Sequence, residues 1–209
     1  MRSRPGRLRH PGRIAALALL LLFVPPLRQA LESSMTAQML LQLPLLAGIG
    51  ILGSLALPAR AQVAIGRWNH HGITGLVLAS VASALWMLPR MLDASAAEPL
   101  FAAAKYLSVP LLIGLPLGLS WPRAGFIVRG VLLLEVVATF FRLGWLYLIS
   151  PERLCQLYRL DDQQRLGQAM LVIGCVLLFG VAAKLLWGRF DAAAAPASSA
   201  CAAGLPAAD

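Results

Sequence analysis

The sequence predicts an all-α fold: a polytopic transmembrane helical bundle of six spans, or five if the first apolar segment is a cleaved signal. Three observations predict it. Hydrophobic residues make up 59% of the 209 and charged residues only 13%, where a soluble domain carries about 25% charged. The mean hydropathy is +0.74. The apolar residues fall into runs close to the ~20 needed to cross a hydrocarbon core, with the charges gathered between them.

Residues 1–13, with Arg2, Arg4, Arg7, Arg9 and Arg13, form a basic N-terminal segment. Ile14–Leu27 follows, short for a span and interrupted by Pro25-Pro26; it reads either as a first helix or as a signal-peptide core. Arg28 stands where a signal cleavage site wants a small residue, which favours retention. The second span is Met35–Pro58, followed by a loop with Arg60, Arg67, His70 and His71. The histidines of that loop read as interfacial residues. Gly72–Pro89 is the third span, and a loop with Arg90, Asp93 and Glu98 closes it. Pro99–Trp121 is the fourth and holds Lys105; Gly130–Ile149 is the fifth and holds Glu135 and Arg142. The sixth, Leu166–Trp187, is entered through the polar cluster Asp161-Asp162-Gln163-Gln164-Arg165. The bundle thus occupies 14–187, and the Ala-, Ser- and Pro-rich 188–209 reads as a disordered tail.

Charge sets the orientation. With residues 1–13 inside, the inner segments hold eleven cations: Arg2, Arg4, Arg7, Arg9, Arg13, Arg60, Arg67, Arg123, Arg129, Lys184 and Arg189. The outer segments hold five: Arg28, Arg90, Arg153, Arg159 and Arg165. Inner loops are the cation-rich ones, so both ends are expected in the cytoplasm. The acids separate the other way, with Glu32, Asp93, Glu98, Glu152, Asp161 and Asp162 outside. The net charge of +9 therefore reports topology. No soluble basic domain exists to bind nucleic acid, and the expected medium is the lipid bilayer. Three separated cysteines make neither a disulfide framework nor a metal motif.

Gly167, Met170 and Gly174 share one helical face, a small-residue track along which another helix can come close. Met35, Met39, Met87, Met91 and Met170 all fall toward the outer side. Thioethers are soft ligands that suit Cu(I), although methionine is also a common filler of irregular cores. Asp161 or Asp162 can cap the last helix, leaving the other with Gln163 and Gln164 for a partner. Lys105, Glu135 and Arg142 are charges inside spans, where they are costly. Glu135 and Arg142, two turns apart, are expected to be too far apart for direct contact. Lys105 and Arg142 are expected to snorkel toward Asp93 or Asp162. These three charges also define an alternative reading, a small transporter or permease subunit with a path along them; a structural subunit without a ligand site is the other. The chain has no P-loop, dinucleotide fingerprint, HExxH, CxxC or triad, and no enzyme activity is expected.

Asp162-Gln163-Gln164 with Gly167, Met170 and Gly174 resembles the DQQxxGxxM segment opening a late helix of the CtaG-like family, multi-span bacterial membrane proteins linked to assembly of caa-type haem–copper cytochrome oxidases. Met35-Thr36-Ala37-Gln38-Met39-Leu40-Leu41 with Pro44-Leu45-Leu46 is similar to the family's HMxxHMLL…PLL stretch. Leu85-Trp86-Met87-Leu88-Pro89 with Asp93 is similar to its WHxP…D motif. The resemblance covers most of 32–180 in the right order. It implies an accessory or assembly factor in the bacterial inner membrane, with oxidase subunits as partners. It also implies an outer-leaflet pocket of Gln38, Trp86, Asp93, Asp162, Gln163 and Gln164 that holds a partner loop or Cu(I). Ser34, Gln38, Met87 and Lys105 stand where the family pattern has histidines, so a histidine-built site does not carry over intact.

Overall fold

A computed structural model describes residues 10–69, 71–155 and 158–187. His70, the N-terminal arginines up to Arg9 and the tail 188–209 lie outside the described residues. All regular structure among those described is helical. The first apolar segment forms α1 (His10–Phe23) and α2 (Pro25–Glu32), bent by 72°. Val24, preceding Pro25, is extended (φ −61°, ψ 128°) because a proline ring bars the helical region to the residue before it. The double proline then restarts a helix, since a first-turn proline costs no hydrogen bond.

Helix α3 is Met35–Ala56, capped by Ser34, whose Oγ accepts from the Ala37 amide at 3.1 Å. Its Gln38–Gln42 stretch opens into a π turn just ahead of Pro44, which lacks the N–H needed to continue the α ladder. A loop-like stretch in the sequence, 59–68, is helical: α4, Ala59–Trp68, with no buried residue. Gly72 follows at φ +75°, and a Cβ there would stand 2.6 Å from the Ser120 carbonyl. Helix α5 (Ile73–Trp86) ends three residues before the expected Pro89, and α6 (Pro89–Ala97) departs at 69° through an extended Leu88. Helix α7 is Pro99–Ser120, with a second π segment at Val109–Gly114 around Pro110. Helix α8 (Phe126–Ile149) and helix α9 (Leu160–Trp187) form a long antiparallel hairpin.

Three of these helices, α3, α7 and α9, are individually long and apolar enough to cross a membrane, and up to five crossings result if each bent pair counts as one. Contacts fix the relative directions. Gly12 of α1 meets Ala56 at the far end of α3, so the two run antiparallel. Gly50 and Gly114 bring α3 and α7 together in parallel: a Cβ on Gly50 would fall 2.1 Å from the Pro110 carbonyl. Helix α5 opposes α7, with Gly75 near Ser120 and Trp86 bonded to Ser108. In the α8–α9 hairpin, Gly144 and Gly167 face each other near the connecting loop and Gly174 packs on Phe140 and Phe141. Of the expected small-residue track, Gly167 and Gly174 form the seam against α8, and Met170 between them is buried.

Candidate functional site

One end of the bundle, where α2, α6 and the α8–α9 connection meet the start of α3, concentrates the polar side chains. Lys105 on α7 is fully enclosed. Its Nζ donates to Glu32 Oε1 at 2.9 Å and to Gln42 Oε1 at 3.0 Å. Arg28 Nε binds the other Glu32 oxygen at 3.0 Å. Gln42 Nε2 donates to Tyr106 Oη at 2.8 Å and to Glu32 Oε1 at 3.4 Å, and Tyr106 donates to the Leu22 carbonyl at 3.0 Å. Each buried polar side-chain atom of this group has a hydrogen-bond partner, and four helices (α1, α2, α3, α7) are tied by it. Lys105 thus does not snorkel toward Asp93 or Asp162; it turns inward, because Glu32 at the end of α2 offers a counter-charge without leaving the core.

A second group lies beside the first. The Tyr158 hydroxyl sits 2.7 Å from Gln38 Oε1 and 3.0 Å from the Glu32 carbonyl, its one proton shared between them. Gln38 Nε2 donates to Ser95 Oγ at 3.1 Å, and Ser95 donates to the Leu92 carbonyl at 2.9 Å. Burial, then the negative charges of Glu32, Cys155, Asp93 and Asp162, pushes the Tyr158 hydroxyl well above its ordinary range, so it stays a donor. Burial and the neighbouring Asp93 carboxylate likewise push the Cys155 thiol up to about 12. Gln163 staples the α8–α9 connection: its Oε1 accepts from the Leu154 amide at 2.9 Å and its Nε2 donates to the Tyr147 carbonyl at 3.3 Å.

The expected outer-leaflet pocket is therefore divided. Gln38 and Gln163 are buried ties between segments. Asp162 lines a polar cavity of about 340 Å³ with Glu32, Ser33, Tyr158 and Arg159. Gln164 is exposed, and Asp93 sits on α6 against Cys155. Trp86, anchored by its Nε1 to Ser108 Oγ at 2.9 Å, lines a different and apolar cavity of about 360 Å³. The methionines split in the same way. Met39, Met87 and Met170, from three separate segments, line the apolar cavity; Met35 is enclosed in the core and Met91 packs against it. Tyr147 Oη lies 3.8 Å from the Met39 sulfur. Among the described residues no group of three His, Cys, Asp or Glu can hold a metal ion, and the sulfur-bearing side chains on the apolar cavity are those of Met39, Met87 and Met170.

Lys105, Glu135 and Arg142 do not converge. Glu135 and Arg142 form an ion pair with each other on an exposed face of α8, against the expectation that two turns would keep them apart. The backbone separation of seven residues is about 10 Å, but the long guanidinium arm folds back along the helix to the carboxylate. Glu32, Gln42, Ser95, Tyr106 and Tyr158 carry much of the polar end and were not singled out by motif. One signal pointed to Glu32: an intramembrane Lys105 needs an acid at its own depth. Comparison of the chain with protein-family models, with curated proteins and with solved structures finds no match.

Proposed function

We propose that this chain is a non-enzymatic accessory protein of the bacterial inner membrane, an assembly factor for a haem–copper cytochrome oxidase, whose polar end receives a loop of the partner. The carrying observation is the bond network joining Gln38 to Tyr158 and Ser95. It draws the beginnings of α3 and α9 and the α6 segment, the three stretches that resemble the CtaG-like family, to one end of the bundle. The adjoining cavity, flanked by Glu32, Asp162 and exposed Arg159, offers both signs of charge to an incoming loop. Counting α8, which runs antiparallel to α9 along its length, as a crossing beside the five gives six with cytoplasmic N and C termini, and the alternating directions of α1, α3, α5, α7, α8 and α9 support that reading. The same orientation fits the placing of Arg123 beside Gly66 and Gln62, at the end opposite the acidic segments. Deletion in the host tests this: lowered cytochrome oxidase activity, most marked under copper limitation, is expected. Unchanged oxidase at low copper removes the proposal.

A second reading rests on Met39, Met87 and Met170 lining one apolar cavity. These thioethers would hold Cu(I) on its way to the oxidase, with Tyr147 fixing the Met39 side chain. Cu(I) titration of the purified protein against the Met39→Leu/Met87→Leu variant decides it; equal uptake by both discards the site. The transporter alternative would need Lys105, Glu135 and Arg142 on one path, whereas Lys105 is bonded to Glu32 and Gln42, Arg142 pairs with Glu135, and Glu135 lines a separate cavity of about 220 Å³.

A further inference from the structure

Helix α8 buries one face against α9, through Val137, Gly144 and Tyr147, and its flank of Leu132, Glu135, Val136 and Thr139 borders a cavity of about 220 Å³ beside α5 and α7 without close packing. On its opposite side runs a second stripe: Val131, Glu135, Ala138, Arg142, Trp145 and Ile149, spaced 4-3-4-3-4. That alternation keeps one line of side chains facing a neighbouring helix over the whole length, as in left-handed helix pairs. Val131, Trp145 and Ile149 are each more than half exposed, and the Glu135 and Arg142 side chains are 57% and 65% exposed. An apolar stripe alone would face lipid without cost. A carboxylate and a guanidinium in the middle of it are expensive there, even when paired with one another.

We propose that this stripe is the docking seam for a single membrane-spanning helix of another protein, running parallel to α8 and carrying the reverse charge order: a basic residue level with Glu135 and an acidic one level with Arg142. Charge complementarity selects that occupant over a second copy of this chain. A parallel two-fold pair would set Glu135 beside Glu135 and Arg142 beside Arg142, and one insertion direction forbids the antiparallel pair. Side-chain size adds detail: Ala138 leaves room for a large partner residue, and Trp145 calls for a small one. The inference rests on the function proposed above only in placing α8 within the bilayer. It adds the kind of partner.

The test pairs the full chain with designed single-span peptides of leucine and alanine, co-expressed in bacterial membranes. All carry cytoplasmic N-terminal fluorophores, and energy transfer is read. One peptide has Lys level with Glu135 and Glu seven residues later, a second has the reverse order, and a third has neither. Energy transfer with the first is expected to exceed the other two by about threefold or more, and to drop to the level of the uncharged peptide with Glu135→Leu/Arg142→Leu. The E135R/R142E variant keeps its own ion pair, serves as the folding control, and is expected to prefer the second peptide. Equal transfer for all three peptides overturns the proposal. So does strong self-association of this chain that the double leucine variant abolishes, because the occupant is then a second copy. An oxidase unaffected by deletion leaves this readout intact, so the two proposals fail separately.

Discussion

The ammonium of Lys105, with none of its side chain exposed, lies 2.9 Å from Glu32 Oε1, a residue 73 positions earlier at the end of a different helix. Each charge is there because the other is. Removing Glu32 strands the enclosed Lys105 ammonium in a medium that cannot solvate it, whereas removing Lys105 still leaves Glu32 the Arg28 guanidinium at 3.0 Å.

Glu32→Gln, which strands Lys105, is therefore expected to destabilise the protein by about 3–5 kcal/mol, and Lys105→Met, which leaves Glu32 paired with Arg28, by less. The double variant should recover a large part of that loss. Thermal unfolding in detergent measures the coupling; losses that simply add would show that the pair is not a unit.

Gln38 is expected to behave as a tie and not as a ligand. Gln38→Leu takes one bond each from Tyr158 and Ser95, which keep those to the Glu32 and Leu92 carbonyls, and should cost roughly 0.5–1.5 kcal/mol for each bond lost. Tyr158→Phe keeps the ring but leaves the buried Gln38 Oε1 without its donor, and should cost about 1–3 kcal/mol. If Gln38→Leu unfolds at the wild-type temperature, the network is not holding α3 to α6.

Two glycines of α3 should respond oppositely to alanine. A Cβ at Gly50 meets the Pro110 carbonyl and Gly114 Cα, so Gly50→Ala forces α3 and α7 apart, at about 1–3 kcal/mol. Gly53 has no atom near its would-be Cβ, and Gly53→Ala is expected to stabilise by roughly 0.4–1 kcal/mol through the unfolded chain. Paired unfolding curves of the two variants check the crossing.

Cys155, with its thiol pushed up to about 12 by burial and by Asp93, should resist alkylation at pH 8, where almost none of it is thiolate. The folded state holds this proton more tightly than the unfolded one. Its contribution to stability is therefore complete below pH 9 and declines from there toward pH 12. Asp93→Asn should lower that upper limit. Rapid labelling of Cys155 by a maleimide in the native protein at pH 8 contradicts the burial described.

The parts of the fold that were legible in the sequence are those set by the bilayer. With no water inside the membrane, each crossing must satisfy its own backbone, so Met35–Ala56 and Pro99–Ser120 end within two residues of their apolar runs. The bends at Pro25 and Pro89 are local sterics, and the prolines marked them even though the new helices beyond were not anticipated. Gly167 and Gly174 announced their seam through spacing alone.

What only the tertiary structure decided is which side chains meet. Lys105 and Arg142 have the same sequence signature, a cation within an apolar run. One is enclosed by Glu32 and Gln42, and the other pairs along its own exposed helix with Glu135. Periodicity fixes the face on which a residue lies, but not which helix packs there. The division of the five methionines between core and cavity was illegible for the same reason: hydropathy drives each of them out of water equally, and only the packing of α3, α5 and α9 leaves space beside three.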